Sequence, residues 1–211
     1  MPMSRRHKII FIHIPRTAGE SIEKCLDIYG GNPNETFWGV TDGQEVLQHK
    51  SAEELKSKLN DDTLWHGSFK FSVVRNPWSK SVSEYHWYLR YGPYCTFKTW
   101  ASSLRDRIQL NRVINIAEVG HNLPQHSFLF DKDEGLLVDK VLKFEHLEAE
   151  FGELLRQRNI KAVLGNDGRT ASGGISGDFR TYYDGETIET IESIYRKDLV
   201  LFGYDKSHTF G

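Results

Sequence analysis

The sequence has few cysteines, no long apolar run and almost no net charge, so it lacks the usual features of secreted, membrane-spanning and nucleic-acid-binding proteins. Its two cysteines, Cys25 and Cys95, are too few for a disulfide framework or a cysteine metal site. No apolar run approaches the roughly 18 residues that a membrane-spanning helix needs. The formal net charge is only −2, so we expect neither a basic surface for nucleic acid nor a polybasic membrane anchor. Any anion must therefore be bound by a local cluster of residues.

The N-terminal residues resemble a secretion signal only in the order of their basic and apolar residues. Basic residues precede an apolar run, but the run is short, contains His13 and is followed by no small-residue cleavage site. Hydrophobic residues make up 38% of the chain and charged residues 27%, which is typical of soluble globular proteins. We expect a single domain over residues 1–211, soluble and cytoplasmic, without repeats or an internal linker.

Residues 8–29 join a strand pattern to a helix pattern through a loop of small residues. The apolar run at residues 9–12 predicts a buried strand. A helical face is predicted by the spacing of Ile22, Cys25, Leu26 and Tyr29. The loop between them, residues 15–21, carries one cation, Arg16. Because the first N–H groups of a helix have no internal partner, this arrangement predicts a site for a phosphate or sulfate group.

The same loop also fits a simpler interpretation. An ordinary strand-to-helix connection with Ser21 as the helix cap has a similar local pattern, and the Walker A sequence GxxxxGK[ST] is absent. The functional interpretation requires backbone N–H groups, the hydroxyls of Thr17 and Ser21, and the guanidinium of Arg16. These groups suit the transfer of an anionic group, which depends on positioning and charge stabilisation.

A second candidate segment follows the strand predicted at residues 69–74. Asn76 is a natural helix N-cap and Pro77 fits the first helical position. Arg75 ends the strand, and Ser83 lies about two helical turns further on. Together they can bind a phosphate. Alternatively, Arg75 pairs with a carboxylate and Ser83 is a solvated helix residue.

The remaining pattern alternates strands with helices. Further helices are predicted at residues 51–59 and 96–117, and two more begin near residue 147 and near residues 184–186. A strand is predicted at 138–144, an irregular stretch at 121–130 and a flexible glycine-rich loop at 166–178. This order predicts an α/β fold with a mostly parallel central sheet flanked by helices. Ligands of such sheets bind at the carboxyl ends of strands, so we expect loops 13–21 and 75–77 to share one crevice.

Both segments resemble motifs of the sulfotransferases that use 3′-phosphoadenosine 5′-phosphosulfate (PAPS). The sequence IPRTAGES is similar to the 5′-phosphosulfate loop, and RNPWSKSVSEY is similar to the 3′-phosphate motif. The closest resemblance is to the carbohydrate group that includes heparan sulfate 2-O-sulfotransferases and many bacterial proteins. Weaker similarity continues through residues 143–147, 179–184 and 201–204. The family's first motif is close to HIPKTGGTS, from which this chain departs at Arg16, Ala18 and Glu20.

The resemblance implies a three-layer P-loop-like α/β fold. It also implies transfer of a sulfuryl group from PAPS to an acceptor hydroxyl, with a carbohydrate expected as acceptor and 3′,5′-ADP as product. The donor-binding residues would be Arg16, Thr17, Ala18, Gly19, Glu20, Ser21, Arg75 and Ser83, with Arg169 and Arg180 beside the glycine-rich loop. Arg16 would replace the family's catalytic lysine, keeping its charge but not its compact geometry.

The acceptor hydroxyl requires a base, and the resemblance indicates His66. Its stretch, LWHGS, is similar to the YHGH stretch of the 2-O-sulfotransferases, in which histidines act in catalysis, although Ser68 replaces the second histidine. A packed or hydrogen-bonded histidine is the alternative. His13 is expected to support the loop. No residue spacing indicates a metal site, and none is expected.

Two other functions fit the same motifs. The first is a P-loop kinase that uses ATP, but the sequence has neither the GK[ST] of a Walker A loop nor a convincing Asp at the end of a strand to hold Mg²⁺. A catalytically degenerate nucleotide-binding module would account for Arg16 in place of lysine. The aromatic residues Tyr85, Trp87, Tyr88, Tyr91 and Tyr94 form either a core face or a stacking platform for a sugar ring. The acceptor is thus expected to be a small molecule or a glycan.

Overall fold

The structure is a computed structural model that describes residues 3–28, 40–41, 45–46, 48–111, 120–165 and 177–211. The chain forms two compact units. The first, here called the sheet unit, comprises Met1–Val74 and Ser127–Gly168. The second, called the helical unit, comprises Arg75–His126 and Arg169–Gly211. The single domain expected over residues 1–211 stays a prediction.

The central sheet lies in the sheet unit. In chain order the described strands are β1 Met3–Ser4, β2 Ile9–Ile12, β3 Val40–Thr41, β4 Glu45–Val46, β5 Phe69–Val74 and β6 Lys140–Lys143. Strands β1, β2, β5 and β6 form one sheet in that spatial order, and β3 and β4 form a separate antiparallel ribbon. Strands β2, β5 and β6 are mutually parallel, whereas β1 is antiparallel to β2. The predicted mixed α/β fold with a mostly parallel sheet is confirmed.

The two strands beside the candidate segments have the predicted bounds. Strand β6 is shorter than the predicted 138–144, and β1 was not predicted because two residues are too short to show an alternating pattern. Register pairs Ile9 with Phe69 and Ile12 with Ser72, and the Ser72 hydroxyl donates to the Ile12 carbonyl at 2.7 Å. The carboxyl ends of β2 and β5 therefore lie at the same edge of the sheet.

Helices flank the sheet and make up most of the described helical unit. They are α1 Gly19–Cys25, α2 Ala52–Leu59, α3 Asp62–Gly67, α4 Pro77–Tyr91, α5 Phe97–Ser102, α6 Leu104–Asn111, α7 His126–Leu129, α8 Leu147–Gln157, α9 Gly185–Ile194, α10 Arg196–Phe202 and α11 Lys206–Phe210, with 3₁₀ helices at Phe144–His146 and Phe179–Tyr182. None of the described helices is long and apolar enough to cross a membrane. The glycine-rich stretch 166–176 and Tyr29 lie outside the described residues.

Local signals set the helix starts. Ser51 and Glu54 form the predicted capping box of α2, and the Asn76 side chain caps α4 by accepting from the N–H groups of Trp78 and Ser79, with Pro77 in the first turn. The stretch 96–117, predicted to be helical, is helical in most of its described part, where Ser103 separates α5 from α6. The stretch 121–130, predicted to be irregular, contains the short helix α7.

Each unit has its own apolar core. In the sheet unit, Phe11 contacts Phe71 with ring centroids 5.0 Å apart, and Phe71 stacks on Phe151 of α8 at 5.9 Å. In the helical unit, buried aromatic rings of α4 and α5 pack together, among them Tyr85 and Trp100. Burial and the charge of Asp27 raise the pKa of the Cys25 thiol to about 11, so this cysteine stays protonated.

Candidate functional site

The loop between β2 and α1 has a left-handed backbone at two residues that are not glycine. The φ angle is 66° at Arg16 and 69° at Ala18. Left-handed geometry costs a non-glycine residue roughly 1–2 kcal/mol, so neighbouring contacts must hold the loop in this shape. Such residues turn nearby N–H groups toward one side of a loop, which is the backbone geometry of anion-binding nests.

Local contacts hold this loop in place. The buried Thr17 hydroxyl donates to the Ile14 carbonyl at 2.8 Å. The buried His13 imidazole contacts Glu23 of α1, with 2.6 Å between Nδ1 and Oε1. A Cβ added at Gly19 would overlap the His13 ring, so glycine is the residue that allows this close approach. The prediction that His13 supports the loop agrees with these contacts.

The start of α1 has no side-chain cap, because its N-cap residue is Ala18. The interpretation of Ser21 as the cap is therefore wrong: Ser21 lies inside the helix, and its N–H donates to the Ala18 carbonyl at 3.1 Å. Glu20 is exposed in the first turn. Since its carboxylate repels anions, Glu20 can help to bind one only through its backbone N–H.

Arg75 is fixed through its backbone and its side chain. Its N–H donates to Oε1 of Gln125 at 2.8 Å, and Nε2 of Gln125 donates to the Arg75 carbonyl at 2.8 Å. The Arg75 Nε donates to the Ser79 hydroxyl at 2.9 Å. Gln125 is fully buried. Neither Gln125 nor Ser79 was predicted, although Ser79 lies midway between Arg75 and Ser83 at the four-residue spacing of one helix face.

Ser83 is buried, so its alternative interpretation as a solvated helix residue is wrong. It belongs to a run of buried polar residues on α4 that includes an ion pair. The Lys80 ammonium lies 2.8 Å from Oε1 of Glu84, and Nδ1 of His121 lies 2.7 Å from Oε2. Burial alone would raise the pKa of the Glu84 carboxyl, but Lys80 and His121 lower it below its usual value. Helix α4 therefore keeps a buried charge.

A further buried carboxylate, Asp198 of α10, lies beside the buried Gln125. Its Oδ2 accepts from the Gln125 N–H at 2.6 Å, and its Oδ1 accepts from the His126 N–H at 2.9 Å. The His126 ring contacts Oδ1 through Nδ1 at 2.6 Å. No sequence signal indicated this cluster, because Asp198 lies 72 positions after His126.

His66 is not where a base for this site would be expected. It lies in α3, immediately before β5, and its side chain is exposed, 4.0 Å from the exposed carboxylate of Asp62. Because β5 is parallel to β2, a residue that precedes β5 lies at the amino edge of the sheet, opposite the loop after β2. The placement argues against the interpretation of His66 as the catalytic base.

The two remaining arginines predicted to bind the sulfuryl donor are Arg180 and Arg169. Arg180 is exposed, and its guanidinium Nε donates to both carboxylate oxygens of Asp178, at 2.9 and 2.7 Å. This hydrogen bonding lowers the pKa of Asp178. A phosphate would therefore compete with Asp178 for Arg180. Arg169 lies outside the described residues. Within the described residues, no group of His, Cys, Asp and Glu is arranged to hold a metal ion.

Comparison with known proteins identifies the family. A family model described as the sulfotransferase family matches residues 1–205. The chain therefore belongs to the sulfotransferase family, which agrees with its mixed α/β sheet. Searches of curated proteins and of solved structures found no significant match. Family membership supports sulfuryl transfer in general.

Proposed function

We propose that the protein transfers a sulfuryl group from PAPS to a hydroxyl group of a carbohydrate acceptor. Family membership supports the class of reaction. The observation that supports the donor is the loop at residues 13–21, where a left-handed backbone at Arg16 and Ala18 is combined with an uncapped helix start. This combination suits a sulfate or phosphate group.

The two candidate segments would hold different ends of the donor. The donor supplies an activated sulfuryl group on its 5′-phosphate. Arg16 would bind that end and stabilise the charge that develops on the leaving oxygen, with backbone N–H groups of residues 17–20 and the Ser21 hydroxyl beside it. Arg75 and Ser83 would bind the 3′-phosphate, and Arg169 and Arg180 would add further contacts. That both segments bind one molecule rests on the motifs and on the family.

Aromatic side chains support a carbohydrate acceptor. Tyr91, the last residue of α4, and Tyr94, three residues beyond it, are exposed, at 75% and 86%. The Trp87 ring lies 5.2 Å from Tyr91 and stacks on His121 at 3.9 Å, which fixes its orientation. Rings presented to solvent in this way can stack on the faces of sugars.

A binding comparison followed by a turnover assay tests the proposal. Calorimetry should show that 3′,5′-ADP binds more tightly than ATP·Mg²⁺, and PAPS should be consumed when a panel of oligosaccharides is added. Binding of 3′,5′-ADP with no turnover of any acceptor would instead support the degenerate nucleotide-binding module. Tight binding of ATP·Mg²⁺ with no binding of 3′,5′-ADP would contradict the proposal and favour the kinase.

The role of Arg16 is tested by Arg16→Ala. We expect turnover to fall by at least about 10²–10³-fold, the usual effect of losing one transition-state donor. Arg16→Lys restores the family's residue and should keep much of the activity. Arg196→Ala, which removes an exposed arginine from α10, is the matched control and should leave turnover unchanged. An Arg16→Ala variant as active as wild type would exclude this role.

A further inference from the structure

His49 lies beside the loop at residues 13–21, within the sheet unit. Its ring meets the His13 ring in a T-shaped contact, with centroids 4.8 Å apart and an angle of 89° between the planes. His13 directly follows β2, and its ring lies so close to Gly19 that a Cβ there would overlap it. One imidazole ring therefore connects His49 with the start of α1, where the sulfuryl end of the donor is proposed to bind.

The segment that carries His49 is anchored on both sides of this residue. Before it, the Gln48 side chain donates from Nε2 to Oε2 of the fully buried Glu23 in α1 at 2.9 Å. After it, the buried Lys50 ammonium lies 3.4 Å from the carboxylate of Glu54, which belongs to the capping box of α2. The segment is thus held against α1 and α2, and the half-buried His49 between the anchors has a defined position.

The same carboxylate of Glu23 serves both histidines. Its Oε1 lies 2.6 Å from Nδ1 of His13, while its Oε2 accepts from Gln48, the residue before His49. A displacement of the Gln48 segment away from His13 would break a hydrogen bond to a fully buried carboxylate, which is costly. The loop and His49 are therefore coupled through contacts that lie entirely within the sheet unit.

Other described histidines of the sheet unit occupy different places. His7 and His66 precede the parallel strands β2 and β5, so they lie at the amino edge of the sheet. His146 follows β6, and β5 lies between β6 and β2. His49, by contrast, is half-buried and contacts His13 at the carboxyl edge, where ligands of such sheets bind.

We propose that His49 is the general base of the sulfuryl transfer, an inference that rests on the proposed function. A ring nitrogen of His49 takes the proton of the acceptor hydroxyl as the acceptor oxygen bonds to sulfur. The bond between sulfur and the 5′-phosphate oxygen of the donor breaks, and its electron pair leaves with 3′,5′-ADP. The imidazolium that forms then releases its proton to water. The base and the loop that holds the sulfuryl end both belong to the sheet unit.

The decisive variant is His49→Asn, which keeps a polar side chain but has no basic nitrogen. We expect kcat to fall by about 10²-fold or more, the usual contribution of a general base, while the affinity for 3′,5′-ADP stays within about twofold of wild type. His66→Asn changes an exposed histidine at the opposite edge of the sheet. It is the matched control and should leave turnover unchanged.

A pH profile separates a base from a residue that only holds the loop in shape. Without His49, hydroxide must take the acceptor proton, and the other titratable groups are common to both proteins. The turnover of His49→Asn relative to wild type should therefore rise by up to about tenfold for each pH unit above about pH 7. A defect that is the same at every pH, or turnover within about threefold of wild type at pH 7, would overturn the inference.

A readout that needs no turnover tests the place of His49. In imidazole ¹⁵N NMR of the full chain, addition of 3′,5′-ADP should shift the signals of His49 more than those of His66. Binding of 3′,5′-ADP that leaves the His49 signals unmoved would overturn the inference alone. Failure of the proposed function appears separately, as no binding of 3′,5′-ADP by the wild type, and would overturn both.

Discussion

The segments that follow β2 and β5 are held in place in different ways. The first depends on contacts between near neighbours, such as Thr17 to the Ile14 carbonyl and His13 to Glu23. The second depends on residues far along the chain: Gln125 lies 50 positions after Arg75, and Asp198 lies 73 positions after Gln125. The conformation of the first segment can therefore be predicted from its own sequence, whereas that of the second depends on the folded helical unit.

The comparison predicts that the largest loss of stability comes from the distant partner of the second segment. Asp198→Ala would leave the buried N–H of Gln125 and the N–H of His126 without acceptors. At roughly 1–3 kcal/mol for each unsatisfied group, we expect the free energy of unfolding in urea to fall by about 3 kcal/mol. Asp198→Asn keeps one acceptor oxygen and should lose less. Equal stability of Asp198→Ala and wild type would show that the network does not hold this segment.

The first segment should respond to a change within the loop itself. Gly19→Ala places a methyl group against the His13 ring, and overpacking of this kind costs about 1–3 kcal/mol. Ala18→Gly is the matched opposite change, since it relieves a left-handed alanine and should raise stability by up to about 1 kcal/mol. Thermal unfolding of both variants measures the difference. A destabilised Ala18→Gly would contradict the account of loop strain.

The smallest effect expected is the acid response of the second segment. Lys80 and His121 keep the pKa of Glu84 below its usual value in the folded state. The ionised Glu84 therefore contributes its full stabilisation above about pH 4.5, and this stabilisation is lost as the pH falls through the folded-state pKa. Below pH 4.5 this one group should cost about 1 kcal/mol per pH unit.

Urea unfolding of wild type and Glu84→Gln between pH 6 and pH 3 measures this response. Glu84→Gln should be less stable at pH 6 but show a shallower fall in acid, because it lacks the ionising group. Parallel pH curves for the two proteins would contradict the assignment. Glu186→Gln, which breaks an exposed pair with Lys98, is the control for an ordinary surface carboxylate.

Local signals were sufficient for much of the fold. The bounds of β2 and β5, the capping box at Ser51 and the cap at Asn76 were all predicted, because each signal lies within a few residues of the element it sets. The left-handed backbone of Ala18 was not predicted. The glycine at the matching position of the family motif is the signal that could have indicated it.

The choice of His66 shows the limit of a short motif. The LWHGS stretch is similar to a catalytic stretch of relatives, but it comes before a parallel strand, whereas the binding loops come after theirs. The order of elements alone could have placed His66 at the opposite edge of the sheet. His49 was not predicted as a site residue, because Glu23, which anchors the neighbouring Gln48, lies 25 positions away in the chain.

By itself the sequence determined strands β2 and β5, the starts of α2 and α4, and the motifs that place the chain among sulfotransferases, because backbone preferences and caps act over a few residues. Only the tertiary structure decided which charges are buried and which histidines pair with buried carboxylates. Burial depends on every element that packs around a side chain. Asp198 acquires its role from Gln125 and His126, which lie more than 70 positions away.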